Sequence, residues 1–270
     1  MRFVAAAVVV CALFGAANEA RAKVWPQPAL GPSRSGDPEV IFTFDDGPDL
    51  VRTPVVLDLL AKYHIHAIFF LVGKQVSDPS PKAKEIIERI LREGHIIGNH
   101  TKSHKDLCLE KNRDLVDSEI DEGRAAIVNL VHVEPVFFRA PFGSRCDVLE
   151  EALEKRQLKH FHWDLDPQEW KGGGTARTIN YVTKQLGAAT GRDVLLLHDV
   201  KLITVRALPT IFEWLVTENE RRISVGQRPI RVIQAPDVAL EMLSPGLAAW
   251  AGSTLNRIAE VRSDLARVLP

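Results

Sequence analysis

Seven short β-prone runs recur along the chain with helical patterns between them, and this alternation constrains the fold more than any other feature. The runs are residues 40–45, 67–73, 95–100, 135–142, 160–166, 194–198 and 229–234. Each is rich in β-branched or aromatic side chains and is too short to be a helix. Between the first two, Thr53 offers a cap with Pro54 at the first helical position, and Val56, Leu59, Leu60 and Tyr63 share one face. Ser80-Pro81 opens a second helix, with Ile86, Ile87, Ile90 and Leu91 on its apolar side. Further helical patterns follow at 115–127, 148–153, 178–186, 207–215 and 237–243. Strand–helix alternation of this kind predicts a parallel sheet covered by helices. Seven units in one domain predict an α/β barrel, one unit short of the usual eight, with an open doubly wound sheet as the alternative.

Of the 270 residues 46% are hydrophobic, enough for a sizeable core, and the formal net charge of -1 gives no basic excess for nucleic acid. The first residues read differently. Arg2 precedes an apolar stretch over 4–17, and Ala20-Arg21-Ala22 supplies small residues around a cleavage point. This predicts a signal peptide over 1–22, because the apolar stretch is shorter than the ~20 residues that span a bilayer. An irregular lead-in occupies 23–38, a single domain 39–245, and an amphipathic helix packed on that domain 246–270. The expected protein is exported, periplasmic or secreted, monomeric, without stable membrane insertion.

The polar residues of interest gather at the C-terminal ends of the predicted strands, where α/β barrels and open α/β sheets place their chemistry. Asp45 and Asp46 end the first run, before the Gly47-Pro48 turn. Two adjacent carboxylates repel unless a cation or a proton lies between them. His100 and His104 are four residues apart, so a helical turn would set both imidazoles on one face, a spacing familiar from zinc sites. An acid from the first strand would complete a two-histidine, one-carboxylate set. Arg139 can hold a carboxylate ionised and oriented. Asp166, or Asp164 two residues before it, can raise the pKa of His198 and fix its tautomer, as a general acid requires. Trp170 can form a wall for a sugar ring or acyl group. Residues 171–175 lack the spacing of a phosphate loop, and no Gly-x-Ser-x-Gly element supports a serine hydrolase.

Five motifs in order resemble the polysaccharide deacetylase family, the NodB homology domain of carbohydrate esterase family four. They are Thr43-Phe44-Asp45-Asp46-Gly47, His100-Thr101-Lys102-Ser103-His104, Arg139-Ala140-Pro141-Phe142, Asp166-Pro167-Gln168-Glu169-Trp170 and Leu196-Leu197-His198. The resemblance covers residues 40–243. It implies a distorted seven-stranded (β/α) barrel and a divalent metal, usually Zn2+ and sometimes Co2+. It implies removal of acetyl groups from N-acetylglucosamine units of chitin, peptidoglycan or a related glycan. An O-acetyl esterase acting on a polysaccharide such as xylan is the alternative on the same site, and a sugar-binding module without activity is a further rival. Carried over by residue, Asp46, His100 and His104 bind the metal and Asp45 is the base, positioned by Arg139. His198 is the acid, tuned by Asp166. Trp170 and Leu196 line the acetyl pocket, and the Phe142 backbone N–H faces the oxyanion. Two positions depart from the family pattern. Glu169 stands where a second Asp is usual, which bears on pocket shape, and Phe142 stands where Tyr is common.

Cys108 follows His104 by four residues and Cys146 follows Phe142 by four, so both fall in neighbouring loops of the mouth. A disulfide bracing the site is expected there, with two free buried thiols as the alternative.

Overall fold

The computed structural model describes residues 35–78 and 80–243. The predicted signal peptide, most of the lead-in and the predicted C-terminal helix lie outside the described residues. Seven strands form one parallel sheet: β1 (Glu39–Asp45), β2 (Ile68–Leu71), β3 (Ile96–Asn99), β4 (Phe137–Phe138), β5 (Lys159–His160), β6 (Arg192–His198) and β7 (Arg231–Val232). The helices are α1 (Arg52–Lys62), α2 (Gly73–Val76), α3 (Pro81–Arg92), α4 (Val116–Val131), α5 (Asp147–Lys155), α6 (Thr175–Ala188), α7 (Leu202–Ser224) and α8 (Ala235–Leu243). No helix among the described residues is long and apolar enough to cross a membrane.

The strand order is β5-β4-β3-β2-β1-β6, with β7 paired to the base of β1 at Glu39 and Val40. After β5 the chain bridges to the far side of β6 at Leu165 and Leu195. That single bridge closes the sheet into a distorted seven-stranded barrel. Alternation along each strand then sorts the side chains. Val40, Phe42 and Phe44 face outward with Phe69, Leu195 and Leu197, and pack under α1, α3, α6 and α7. Ile41, Ile68, Phe70, Phe137 and Phe161 face the interior, where Ala235 and Val238 of α8 close its base. Above this apolar floor the inward positions of the same strands are Thr43, Asp45, Arg139, Leu196 and His198. The interior is therefore apolar at one end and polar at the other. Gly98 of β3 leaves room for Phe70 of the floor, since a Cβ there would lie 2.4 Å from its ring.

Several local expectations are corrected. Thr53 lies inside α1 and does not cap it. The Asp49 carboxylate accepts from the backbone of Val51 and Arg52, while the Thr53 hydroxyl donates to buried Asp199. Strands β4, β5 and β7 are two residues each: after β4 and β5 the chain leaves the ladder early to build the mouth loops, and after β7 it turns into α8 at the base. Helix α7 runs well past the expected 207–215, through Pro209 and a polar end in which Glu218 pairs with Arg221 and Arg222. Apolar periodicity does not reveal a turn held by ion pairs. Ser80 caps α3 as its sequence suggests, accepting from the Lys82 backbone N–H.

Candidate active site

Asp45 is the last residue of β1 and Asp46 the first beyond it. Asp46 adopts a left-handed backbone, φ 75°, which turns its carboxylate to the same mouth that Asp45 already faces. The sequence expectation of a helical turn at His100–His104 is corrected here. The segment is a tight non-helical turn with Thr101 (φ 66°) and His104 (φ 56°) both left-handed. The two imidazoles still meet, 5.0 Å between ring centres. Strain of this kind in non-glycine residues persists only where neighbours enforce it. The enforcement is visible. Asn99 accepts from the Thr101 backbone, Thr101 Oγ1 accepts from the His104 backbone, and Glu119 of α4 accepts from the Ser103 backbone at 2.7 Å and from the Ser103 hydroxyl. Sequence reasoning missed Glu119, whose helix shows no sign of the loop it supports.

One ligand atom from each of Asp46, His100 and His104 lies within 4.8 Å of the others. Asp46 Oδ1 is buried and accepts no well-aligned hydrogen bond; His104 Nε2 stands 3.1 Å away and His100 Nε2 3.5 Å. Burial opposes charge on Asp46, but the two imidazoles outweigh it and hold the carboxyl far below the usual range. His100 Nδ1–H donates to the Arg139 carbonyl at 2.7 Å, which leaves the Nε2 lone pair facing Asp46. An orphaned carboxylate oxygen facing two imidazole nitrogens fits a divalent cation.

Arg139 has no exposed surface, and its guanidinium makes four hydrogen bonds to its neighbours. It donates to Asp45 Oδ1 at 2.8 Å, Thr43 Oγ1 at 2.7 Å, the Phe161 carbonyl at 2.9 Å and the His162 carbonyl at 3.2 Å. Its planar face covers Phe70 at 4.2 Å. Asp45 is thereby held by one oxygen, with the other 3.7 Å from His100 Nε2.

Across the mouth, His198 ends β6. Its partner is Glu169, which corrects the assignment of that role to Asp166. His198 Nδ1–H donates to Glu169 Oε1 at 2.8 Å, and the His198 backbone N–H donates to the same oxygen at 2.9 Å. Gln168 is left-handed, φ 54°, and this turn swings Glu169 inward. Asp166 instead accepts from the Gln168 backbone at 2.7 Å and lines the cleft beside the imidazole. The departure from the family pattern at Glu169, expected to bear on pocket shape, bears on His198 instead. Burial opposes the charge of His198, but the hydrogen bond and charge of Glu169, with Asp45 and Asp46 beyond, raise its pKa to about 9. Asp164 is exposed and accepts from the Val194 backbone, outside the cleft.

These groups line a cleft of about 280 Å³. Leu196, two residues before His198, forms its buried floor, and Trp170, 46% exposed, its rim. Phe142 is 68% exposed with φ 61°, and its ring stands edge-on to His104 at 4.9 Å. Trp163 and Lys201 also line the cleft, and sequence reasoning missed both. Trp163 lies three residues before Asp166 in the predicted fifth strand, which was the one available signal. A second hollow of about 460 Å³ adjoins across Asp46 and His104. A larger one, about 820 Å³, lies along the acidic flank of α5 and includes none of the groups above. Cys108 and Cys146 are joined as a disulfide between the loops that follow β3 and β4.

A parallel barrel with two carboxylates, a histidine pair and a carboxylate-bound imidazole at its mouth defines a hydrolase-type site. A family model described as polysaccharide deacetylase matches residues 33–161. The chain is 33% identical over 167 residues to a chitooligosaccharide deacetylase of Sinorhizobium fredii, covering 62% of this chain and 74% of that protein. It is 33% identical over 193 residues to a peptidoglycan-N-acetylglucosamine deacetylase of Bacillus cereus, covering 70% and 86%. Its fold resembles a family 4 carbohydrate esterase from Streptomyces lividans solved in complex with acetate, at TM-score 0.59 and 26% identity over 67% of this chain and 88% of that one. The chain belongs to the polysaccharide deacetylase family.

Proposed function

We propose that this protein is a metal-dependent N-deacetylase that hydrolyses the N-acetyl group of N-acetylglucosamine units in a glycan and releases acetate. The observation that carries the proposal is the division of labour among the mouth carboxylates. Asp46 joins His100 and His104, while Asp45 stands beside them on Arg139. The donor set of two imidazoles and one carboxylate suits Zn2+, with Co2+ as the alternative. A divalent cation held there would polarise the amide carbonyl and acidify a water.

The remaining work falls to the protein. Asp45, fixed by Arg139, takes the proton from the attacking water at its free oxygen. The Phe142 backbone amide is assigned to the developing oxyanion. His198, with a pKa near 9, carries a proton at neutral pH and gives it to the departing amine. Leu196 and Trp170 exclude water around the acetyl methyl. Export to an oxidising compartment belongs to the same proposal, and the Cys108–Cys146 disulfide supports it.

The test is acetate release by protein stripped of metal and then reconstituted with Zn2+ or Co2+, compared across chitin oligomers, peptidoglycan and acetylated xylan. Release from the first two that depends on added metal is the expected result. Release from xylan alone would assign the site to ester hydrolysis, and equal release by stripped and loaded protein would remove the metal from the proposal.

A further inference from the structure

The two arms of the mouth differ in charge. The arm with Trp170 also carries Lys201, one residue before α7. The other arm is lined by Asp49, Leu50, Gln75 and Val200, and the one cation among the described residues bonded to that lining, Arg52, is taken up by Asp49 at 2.8 Å. Lys201 is half-buried, its backbone N–H is tied to the His198 carbonyl at 3.0 Å, and its ammonium makes no ion pair with any described residue. Of the carboxylates in the cleft, Asp45 is answered by Arg139 and Asp46 by the two imidazoles, while Asp166 accepts from the Gln168 backbone and makes no ion pair with Lys201. A second cation stands close by: Lys171 Nζ lies 4.8 Å from the centre of the Trp170 ring. A neutral sugar resting on Trp170 offers these ammonium groups no charge. A sugar bearing a carboxylate does.

We infer that Lys201, with Lys171 beside Trp170, selects a glycan whose unit next to the acetylated sugar carries a carboxylate, over a neutral N-acetylglucosamine oligomer. The inference rests on the deacetylase reading and names its substrate class. Alternating strands of N-acetylglucosamine and muramic acid present such a group, either as the lactyl carboxylate or on a stem peptide.

The test compares metal-loaded enzyme on four substrates: chitotetraose, a peptide-free tetrasaccharide of alternating N-acetylglucosamine and N-acetylmuramic acid, its methyl ester, and the peptide-bearing strand. The expected result is a KM about fivefold lower for the free acid than for its ester at low salt, shrinking as salt rises. Lys201→Met should abolish that difference and Lys201→Arg should keep it. The comparison of acid with ester uses the unaltered protein, so it stands even if a variant fails to fold. A preference for the peptide-free strand assigns the carboxylate to the lactyl group, and one for the peptide-bearing strand assigns it to the stem peptide. Equal KM for acid and ester with no gain on the peptide-bearing strand over chitotetraose, or a preference that Lys201→Met leaves intact, overturns the inference alone. Acetate from none of the four overturns the deacetylase reading and the inference with it.

Discussion

Asp45 and His198 are register partners in the β1–β6 ladder, so the proposed base and the proposed acid stand on adjacent strands at the same height. Two residues lower, Thr43 and Leu196 are paired in the same way. Period-two alternation points all four into the barrel. The spacing between the proton-accepting and proton-donating groups is therefore fixed by backbone hydrogen bonds and not by loop conformation. Asp46, one residue on, leaves the ladder and joins the histidine turn instead.

Asp45→Asn separates these roles. Asparagine cannot accept the water's proton, so acetate release should fall by roughly 10²–10⁴-fold. The donors at Asp46, His100 and His104 are untouched, so metal content after reconstitution should match the parent. The change also leaves the buried Arg139 without its anionic partner. A lower melting temperature is expected, up to the roughly 3–5 kcal/mol of a broken buried pair and less where the asparagine oxygen still accepts. Near-normal turnover would remove Asp45 from the chemistry.

Glu169→Gln addresses His198. Without the carboxylate the imidazole loses its largest support, and its pKa falls from about 9. The alkaline limb of the kcat/KM profile should move to lower pH. Stability follows the same sign. His198 is raised above its ordinary 6.5, so its contribution is complete below about pH 6.5 and is lost as pH rises through about 9. In chelator-treated protein the gap in melting temperature between parent and variant should be widest near pH 6 and closed by about pH 9.5. Asp166→Asn should leave that limb in place; movement by Asp166→Asn and not by Glu169→Gln would restore Asp166 as the partner.

The barrel and most of the cluster were legible because their signals are local. A strand end followed by two acids, a histidine pair four residues apart and an apolar run ending in histidine each put a chemical group at a known end of a known element. What the sequence did not show depends on backbone handedness. Gln168 turns left-handed and presents Glu169, not Asp166, to His198. The histidines meet across a left-handed turn and not along a helix. Trp163 reaches the cleft as the chain after β5 crosses to β6 and closes the ring, and Lys201 through the turn that ties its backbone to His198 at the end of β6. No periodicity records these events.

The disulfide joins loops 38 residues apart in sequence. Closing a loop of that length removes unfolded-state entropy worth about 4 kcal/mol in the chain-entropy model. Cys108→Ser with Cys146→Ser should lower the melting temperature by an amount of that order under oxidising conditions, and reductant should then change the variant little. The unreduced parent should resist thiol alkylation at both positions. Two alkylatable thiols in that sample would contradict the bond.

Support for the histidine turn predicts a separate effect. Gly123 of α4 lies directly behind it, and a Cβ there would fall 2.5 Å from Asn99 Oδ1 and 2.7 Å from the Thr101 carbonyl carbon. Neither neighbour has room to retreat, because Asn99 is buried and bonded to the Ile120 carbonyl. Gly123→Ala should therefore displace the turn, at a cost of about 1–3 kcal/mol for overpacking. Glu119→Gln leaves the space unchanged but weakens the bonds to Ser103 and removes the charge facing Lys105 at 3.4 Å. Both variants should bind Zn2+ about 10–100-fold more weakly, as loss of an outer support to a ligand does, and should regain part of their activity at saturating metal. Competitive titration against a zinc indicator reads the affinity without reference to turnover. An unchanged affinity in both variants would show that the turn holds its shape without α4.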